Sequence, residues 1–356
     1  MNSVRLIWIS AVLLAGGESA FGADTPVTPT QKSPSGYASR ANAVPRKVVI
    51  GSAVADFSGS LAVRLRFATQ LLDAAAAEAT KKYGGKGLDV MIFPEFALCH
   101  ESGRTAAERA VPVAGPVLEV LGAKARELHT WIVIPMTLRE EGDDGRISNA
   151  AVLLNRAGIV AGIFRKVHPV ADEHGIFEGG VTPGESYPVF DCDFGRLGIL
   201  ICWDMAYEQA WDALATAGAE LVALPSASPQ TLRPAMQALR HHYYVVNSAP
   251  RDNASVFDPI GRTVAQTTTA PGAVVHEIDL SYAILHWSET LHAGRTLTER
   301  FGPKVGYSYS TREDTGVFWS NDPKLTIGEM IRELGLEEMP ALIERMEQAR
   351  KSAQKK

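Results

Sequence analysis

The sequence predicts a layered α/β fold, with β-sheets covered by helices. Two observations carry the prediction: short, wholly apolar runs of strand length recur along the chain, and segments with helical periodicity stand between them. A third is the position of the reactive side chains, which directly follow apolar runs, where α/β folds place their functional groups.

Taken in order, residues 47–54 (KVVIGSAV) read as the first strand. Residues 61–83 are alanine-rich with helical spacing, and Gly84 and Gly85 stop them. Residues 88–93 (LDVMIF) and 131–136 (WIVIPM) read as buried strands on either side of a helix over 116–129. Residues 147–155 and 159–165 form a hairpin turned at 155–158 (NRAG). Residues 196–201 (RLGILI) are an apolar strand running straight into Cys202, and a helix over 205–217 ends at Gly218. Strands at 220–224, 245–248, 254–257 and 273–279, with a helix over 235–244, complete a main domain of residues 47–280. Beyond it the pattern loosens. Residues 286–322 are polar and aromatic without periodicity, and 325–353 read as one or two helices broken at Gly335 and Pro340. Residues 281–356 are read as an extension that packs on the body or on a partner subunit.

The chain has 356 residues, 46% of them hydrophobic, enough for a substantial core. A net charge of −5 gives no footprint for phosphate, so nucleic acid is not an expected partner. The N-terminus has Arg5, an apolar run over 6–15 and small residues over 16–23. That is the pattern of a secretory signal peptide, residues 1–23, cleaved between Ala20 and Asp24. Its apolar run falls short of the roughly 20 residues needed to span a bilayer. Residues 24–46, rich in Pro, Ser, Thr, Ala and Gly, read as a flexible leader. The expected location is periplasmic or extracellular, with no membrane span once the signal is removed. The cysteines are Cys99, Cys192 and Cys202; an odd number in an exported chain leaves a thiol unpaired or intermolecular. Cys99 and Cys192 stand as a pair or as two buried thiols.

Three side chains carry candidate chemistry. Glu95 (IFPEF) follows a buried run, and a carboxylate held there suits general-base work. Lys166 (IFRKV) ends the hairpin strand, and an ammonium there can stabilise a developing oxyanion. Cys202 (LGILICWDM) sits where a strand meets a helix, whose N-terminus would lower the thiol pKa and present backbone N–H groups. Base, cation and thiol on separate strand ends need no histidine, and neither His168 nor His174 is assigned a role. There is no G-x-S-x-G elbow, P-loop or G-x-G-x-x-G motif, and His241-His242 lacks further ligands. Neither a metal nor a cofactor is expected.

Residues 47–280 resemble the nitrilase, or carbon–nitrogen hydrolase, superfamily. FPEFAL is similar to its glutamate motif, FRKVHPVADEHGIFEGG to its lysine motif and LGILICWDMAYEQAWDALATAGAELVALPSA to its cysteine motif. HHYYVVNSAPRDNASVFDPIGR resembles its later strands. The resemblance implies a four-layer α-β-β-α sandwich and a Glu-Lys-Cys triad. Glu95 would be the base, Lys166 the oxyanion stabiliser and Cys202 the nucleophile, helped by the backbone N–H of Trp203. A second family glutamate maps onto Glu173, with Glu178 as the competitor. The implied reaction runs through a cysteine thioester and releases ammonia or an amine from a small amide or N-carbamoyl compound. A nitrile substrate or acyl transfer to an amine are the alternatives, with a non-enzymatic scaffold a third. The resemblance also implies a homo-oligomer. Tyr207-Glu208-Gln209 and a short stretch between Asn247 and Phe257 depart from the family pattern and bear on the substrate.

Overall fold

A computed structural model describes residues 40–354, apart from 101–104, 141 and 143–144. The signal segment 1–23 and residues 24–39 of the leader lie outside the described residues. The chain runs through β1 (Lys47–Val54), α1 (Leu61–Lys82), β2 (Val90–Ile92), the single turn α2 (Ala106–Arg109), α3 (Ala123–Leu128), β3 (Trp131–Arg139), β4 (Ile147–Leu154) and β5 (Val160–Arg165). It continues through β6 (Val189–Cys192), β7 (Gly195–Ile199), α4 (Glu208–Thr216), β8 (Leu221–Pro225), α5 (Leu232–His241), β9 (Tyr244–Ser248), β10 (Ala254–Phe257), β11 (Thr263–Thr267) and β12 (Gly272–Asp279). Then follow β13 (Tyr282–His286), α6 (Arg295–Phe301), β14 (Val305–Ser310), β15 (Thr315–Ser320), α7 (Ile327–Glu333) and α8 (Met339–Ala353).

These strands form two six-stranded sheets, in the orders β12-β1-β2-β3-β4-β5 and β11-β10-β9-β8-β7-β6. Each has a parallel centre, β1-β2-β3 or β7-β8-β9, flanked by antiparallel strands. Strand side chains alternate between faces, so an apolar strand feeds two cores. On the first sheet, Val48, Ile50, Val90, Ile92 and Val133 join the cluster shared with the second sheet. Val49, Met91, Ile132 and Ile134 point the other way, into a cluster with Leu65, Leu72 and Ala79 of α1. On the second sheet, Ala210, Trp211 and Leu214 of α4 and Ala238 of α5 join the shared cluster. The result is the expected α-β-β-α sandwich.

The two sheets are tied near one edge by side chains as well as by packing. The Ser52 hydroxyl donates to the Asn247 carbonyl at 2.7 Å, and the Ser248 hydroxyl to the Ala53 carbonyl at 2.6 Å. Residues 40–46, read as the end of the leader, are bound to this body. Arg46 holds Glu220, and the buried Arg40 donates to the carbonyls of His242 and Ala219.

Beyond Asp279 the chain builds a small antiparallel sheet, β13-β15-β14, on its own apolar cluster with Leu285, Leu297, Phe318, Ile327 and Met330. Two of its strands, β14 and β15, fall in the stretch 286–322 that shows no periodicity in the sequence. Pro340 lies in the first turn of α8, where a missing N–H costs nothing, so it starts that helix. Among the described residues, no helix is long and apolar enough to cross a membrane.

Candidate active site

Glu95 follows β2, Lys166 follows β5 and Cys202 follows β7, so each is fixed by a strand of the sandwich. The fold brings the three together. Glu95 and Lys166 are both buried, and the Lys166 ammonium donates to Glu95 Oε1 at 2.8 Å. The other Glu95 oxygen, Oε2, accepts the Ala227 backbone N–H at 2.9 Å. Ala227 directly follows Ser226 at the end of β8, and both lie close enough to the Cys202 thiol to favour its charged form.

The second glutamate differs from expectation. Glu173 sits at the tip of a tight loop, exposed, facing only His174 at 3.6 Å. Asp172 makes that loop: its Oδ1 accepts the backbone N–H groups of His174 and Ile176, both at 2.9 Å, turning Glu173 outward. The competitor, Glu178, lies on the return limb after the Ala171–Phe177 bridge, with φ of 44°. Its Oε1 accepts from Lys166 Nζ at 2.5 Å and from the Val170 N–H at 3.1 Å. Burial alone would discharge Lys166, but the adjacent Glu95 and Glu178 carboxylates outweigh it and hold the ammonium above its usual pKa.

Cys202 also departs from expectation. It opens a short 3₁₀ turn, Cys202–Ala206, while α4 starts only at Glu208. No α-helix N-terminus therefore points at the thiol. Burial and the Glu95 carboxylate push its pKa up to about 11, against the opposing pull of Lys166, Ser226 and the Ala227 N–H. The Cys202 backbone is in the left-handed region, with φ of 46°. For a residue with a Cβ this costs about 1 kcal/mol, held in place by the surrounding strands. Trp203 is the next residue of the same turn, with 48% of its surface exposed. Cys99 and Cys192 are not joined by a disulfide.

Two polar residues that the sequence reading passed over complete the surroundings. Asp204 is fully buried; its Oδ1 accepts the His168 N–H at 2.8 Å and its Oδ2 the Ile201 N–H at 3.1 Å. It thereby ties the lysine loop to the cysteine turn, and burial pushes its pKa up to about 6. The His168 ring stacks on Tyr207 at 3.5 Å and meets the Tyr187 hydroxyl at 3.0 Å. Asn149, inside β4, donates through Nδ2 to Glu95 Oε1 and Glu178 Oε2, each at 2.8 Å. The readable signal was a buried amide at the head of the apolar run 150–154 of β4 (ISNAAVLL). Among the described residues, no His, Cys, Asp and Glu cluster could hold a metal ion.

The carbon–nitrogen hydrolase family model matches residues 48–285. The chain is 30% identical over 202 residues to the deaminated glutathione amidase of Homo sapiens, covering 48% of this chain and 60% of that protein. It is 25% identical over 232 residues to omega-amidase NIT2-B of Xenopus laevis, covering 58% of this chain and 82% of that one. The chain thus spans less than two thirds of the human relative. Among solved structures, Saccharomyces cerevisiae Nit3, described as a member of branch 10 of the nitrilase superfamily, superposes with a TM-score of 0.54. That match has 21% identity and covers 66% of this chain and 91% of that one, a likeness of fold.

Proposed function

This chain belongs to the carbon–nitrogen hydrolase family, and we propose that within it the chain is an amidase that opens a small non-peptide amide through a thioester on Cys202. The observation that carries this reading is a half-buried thiol, its pKa pushed up to about 11 by burial and by the buried Glu95 carboxylate. Such a thiol is protonated at neutral pH and is a nucleophile only if a base takes its proton. Glu95 is that base.

In the proposed cycle Glu95 accepts the Cys202 proton as sulfur attacks the amide carbon. Lys166 and the Trp203 backbone N–H stabilise the charge that develops on the carbonyl oxygen. Glu95 then returns the proton to the leaving nitrogen, and ammonia or an amine departs as the carbon–nitrogen bond breaks. Water adds to the thioester with its proton passing to Glu95, and the acid leaves as Cys202 regains a proton. Glu178 holds Lys166 in register. The names of the two amidase relatives support an amide over a nitrile.

The test is ammonia release from primary amides, N-carbamoyl amino acids and nitriles, beside a Cys202→Ala protein. Release from amides that disappears in the variant is expected. Release from nitriles alone would make the chain a nitrilase; acyl transfer to an added amine without hydrolysis would make it a transferase. No reaction with any class would sink the enzyme reading.

Export is part of the proposal, supported by Arg5, the apolar run over 6–15 and the small residues after it. A secreted or periplasmic product whose sequence begins between residues 20 and 24 is expected; an intact N-terminus in the cytosol would overturn it. A homo-oligomer is likewise proposed, and a monomeric mass by light scattering would contradict it.

A further inference from the structure

We infer that Asn149 is a positioning residue that holds the Glu95 and Glu178 carboxylates around Lys166, beside Cys202. This rests on the amidase reading but is testable without it. Asn149 is 1% exposed, on the inside of β4. Its Nδ2 donates to Glu95 Oε1 and to Glu178 Oε2, both at 2.8 Å. Those same carboxylates hold the Lys166 ammonium, and the Asn149 carbonyl accepts the Lys166 backbone N–H at 2.8 Å. One residue therefore touches the base, the second glutamate and the lysine.

The two bonds also fix which way the amide faces. An amide oxygen cannot point at two carboxylates, so Nδ2 must, and Oδ1 turns away. Oδ1 is buried and has no hydrogen-bond partner among the described residues. Burying an unsatisfied acceptor costs stability, and an apolar side chain would pack in the strand without that cost. The amide is explained by its two donated bonds. They hold the Glu95 and Glu178 carboxylates in place around the one Lys166 ammonium. The charged and titratable groups facing the pair are Lys166 and Cys202, with Asp204 beyond Lys166 and His168 on Asp204. Arg109 donates to the Glu178 backbone carbonyl, not to its carboxylate.

The test compares Asn149→Asp and Asn149→Ala with the parent full-length chain. The rate at which iodoacetamide alkylates Cys202 is read on the Cys202 peptide at a fixed pH below the thiol midpoint, where rate follows thiolate fraction. A third carboxylate in Asn149→Asp disfavours the thiolate, so alkylation slows roughly tenfold for each unit by which the thiol pKa rises. Asn149→Ala adds no charge and removes the two donated bonds, so it lowers kcat on the best amide with KM little changed. A side chain that merely packed would, when disturbed, expose the thiol and speed alkylation. Both variants folded with parental melting curves, alkylation rates and kcat would overturn the inference, as would faster alkylation of Asn149→Asp. If Asn149→Asp does not fold, Asn149→Ala decides through kcat, with parental kcat overturning the inference. Slowed alkylation with a parent that releases no ammonia from any amide would uphold the positioning role while sinking the amidase reading.

Discussion

The Glu178 carboxylate lies 2.5 Å from the Lys166 ammonium. Glu173, the nearer match to the family spacing, faces solvent at a loop tip. Glu178→Gln is therefore expected to lower kcat for ammonia release by about a hundredfold, since it removes a charge and a hydrogen bond that hold Lys166 in place. Glu173→Gln should stay within about twofold of the parent, as exposed substitutions away from a site do. Parallel kinetics of the two variants check this, and a reversed order would return the role to Glu173.

Lys166 is the one ammonium paired with both Glu95 and Glu178 in a dry setting. Replacing it by methionine leaves Glu95 and Glu178 facing each other without a cation. Breaking a buried ionic cluster by removing one member costs about 3–5 kcal/mol, so Lys166→Met should unfold well below the parent in urea and lose activity. The double variant Lys166→Met, Glu178→Gln should recover part of that stability and none of the activity.

Asp204 gives a pH signature. Its folded-state pKa is pushed up to about 6, above the roughly 3.9 of an unfolded aspartate. The native state thus binds this proton more tightly than the unfolded state, so its contribution favours folding at low pH. That contribution is lost as pH rises from about 4 to about 6, by up to about 3 kcal/mol. Asp204→Asn removes this titration. Its urea midpoints should fall below the parent at pH 4 and close the gap by pH 7. Parallel curves for the two proteins across that range would contradict the assignment.

Gly158 turns the β4–β5 hairpin with φ of 71°, and a Cβ there would lie 2.1 Å from the Gly122 carbonyl oxygen. Backbone meets backbone, so neither side can yield cheaply. Gly158→Ala is expected to destabilise the fold by about 2 kcal/mol or more. Gly84 has a similar φ of 62° with open space around it, so Gly84→Ala should cost only the conformational share, about 1 kcal/mol. Melting temperatures of the two variants make the comparison.

The α/β layering was legible because most strands of the two large sheets are local apolar runs, and burial on both faces leaves little else they can be. Residues 47–54 and 254–257 coincide with β1 and β10 for that reason. The small sheet was not legible: β14 (VGYSYS) and β15 (TGVFWS) mix glycine, serine and aromatics, and their pairing supplies what periodicity does not. β6 and β11, at the edge of the second sheet, are too short and too mixed to stand out. Glu95, Lys166 and Cys202 each follow an apolar run, so their convergence could be anticipated. The choice between Glu173 and Glu178 depends on the turn that Asp172 makes, and spacing along the chain does not register which limb faces inward. The start of α4 was misread by three residues because Cys202–Ala206 coils as a 3₁₀ turn ahead of it. That offset moves the start of α4 away from the thiol, and the proposed cycle gives the proton to Glu95.

The central claim, covalent catalysis by Cys202, is tested most directly by quenching the chain in acid during turnover of its best amide and weighing it. The account predicts a protein heavier by the acyl group, carried on the Cys202 peptide and removed by hydroxylamine as the hydroxamate. Undiminished ammonia release by Cys202→Ala, with no adduct on the parent, would contradict it.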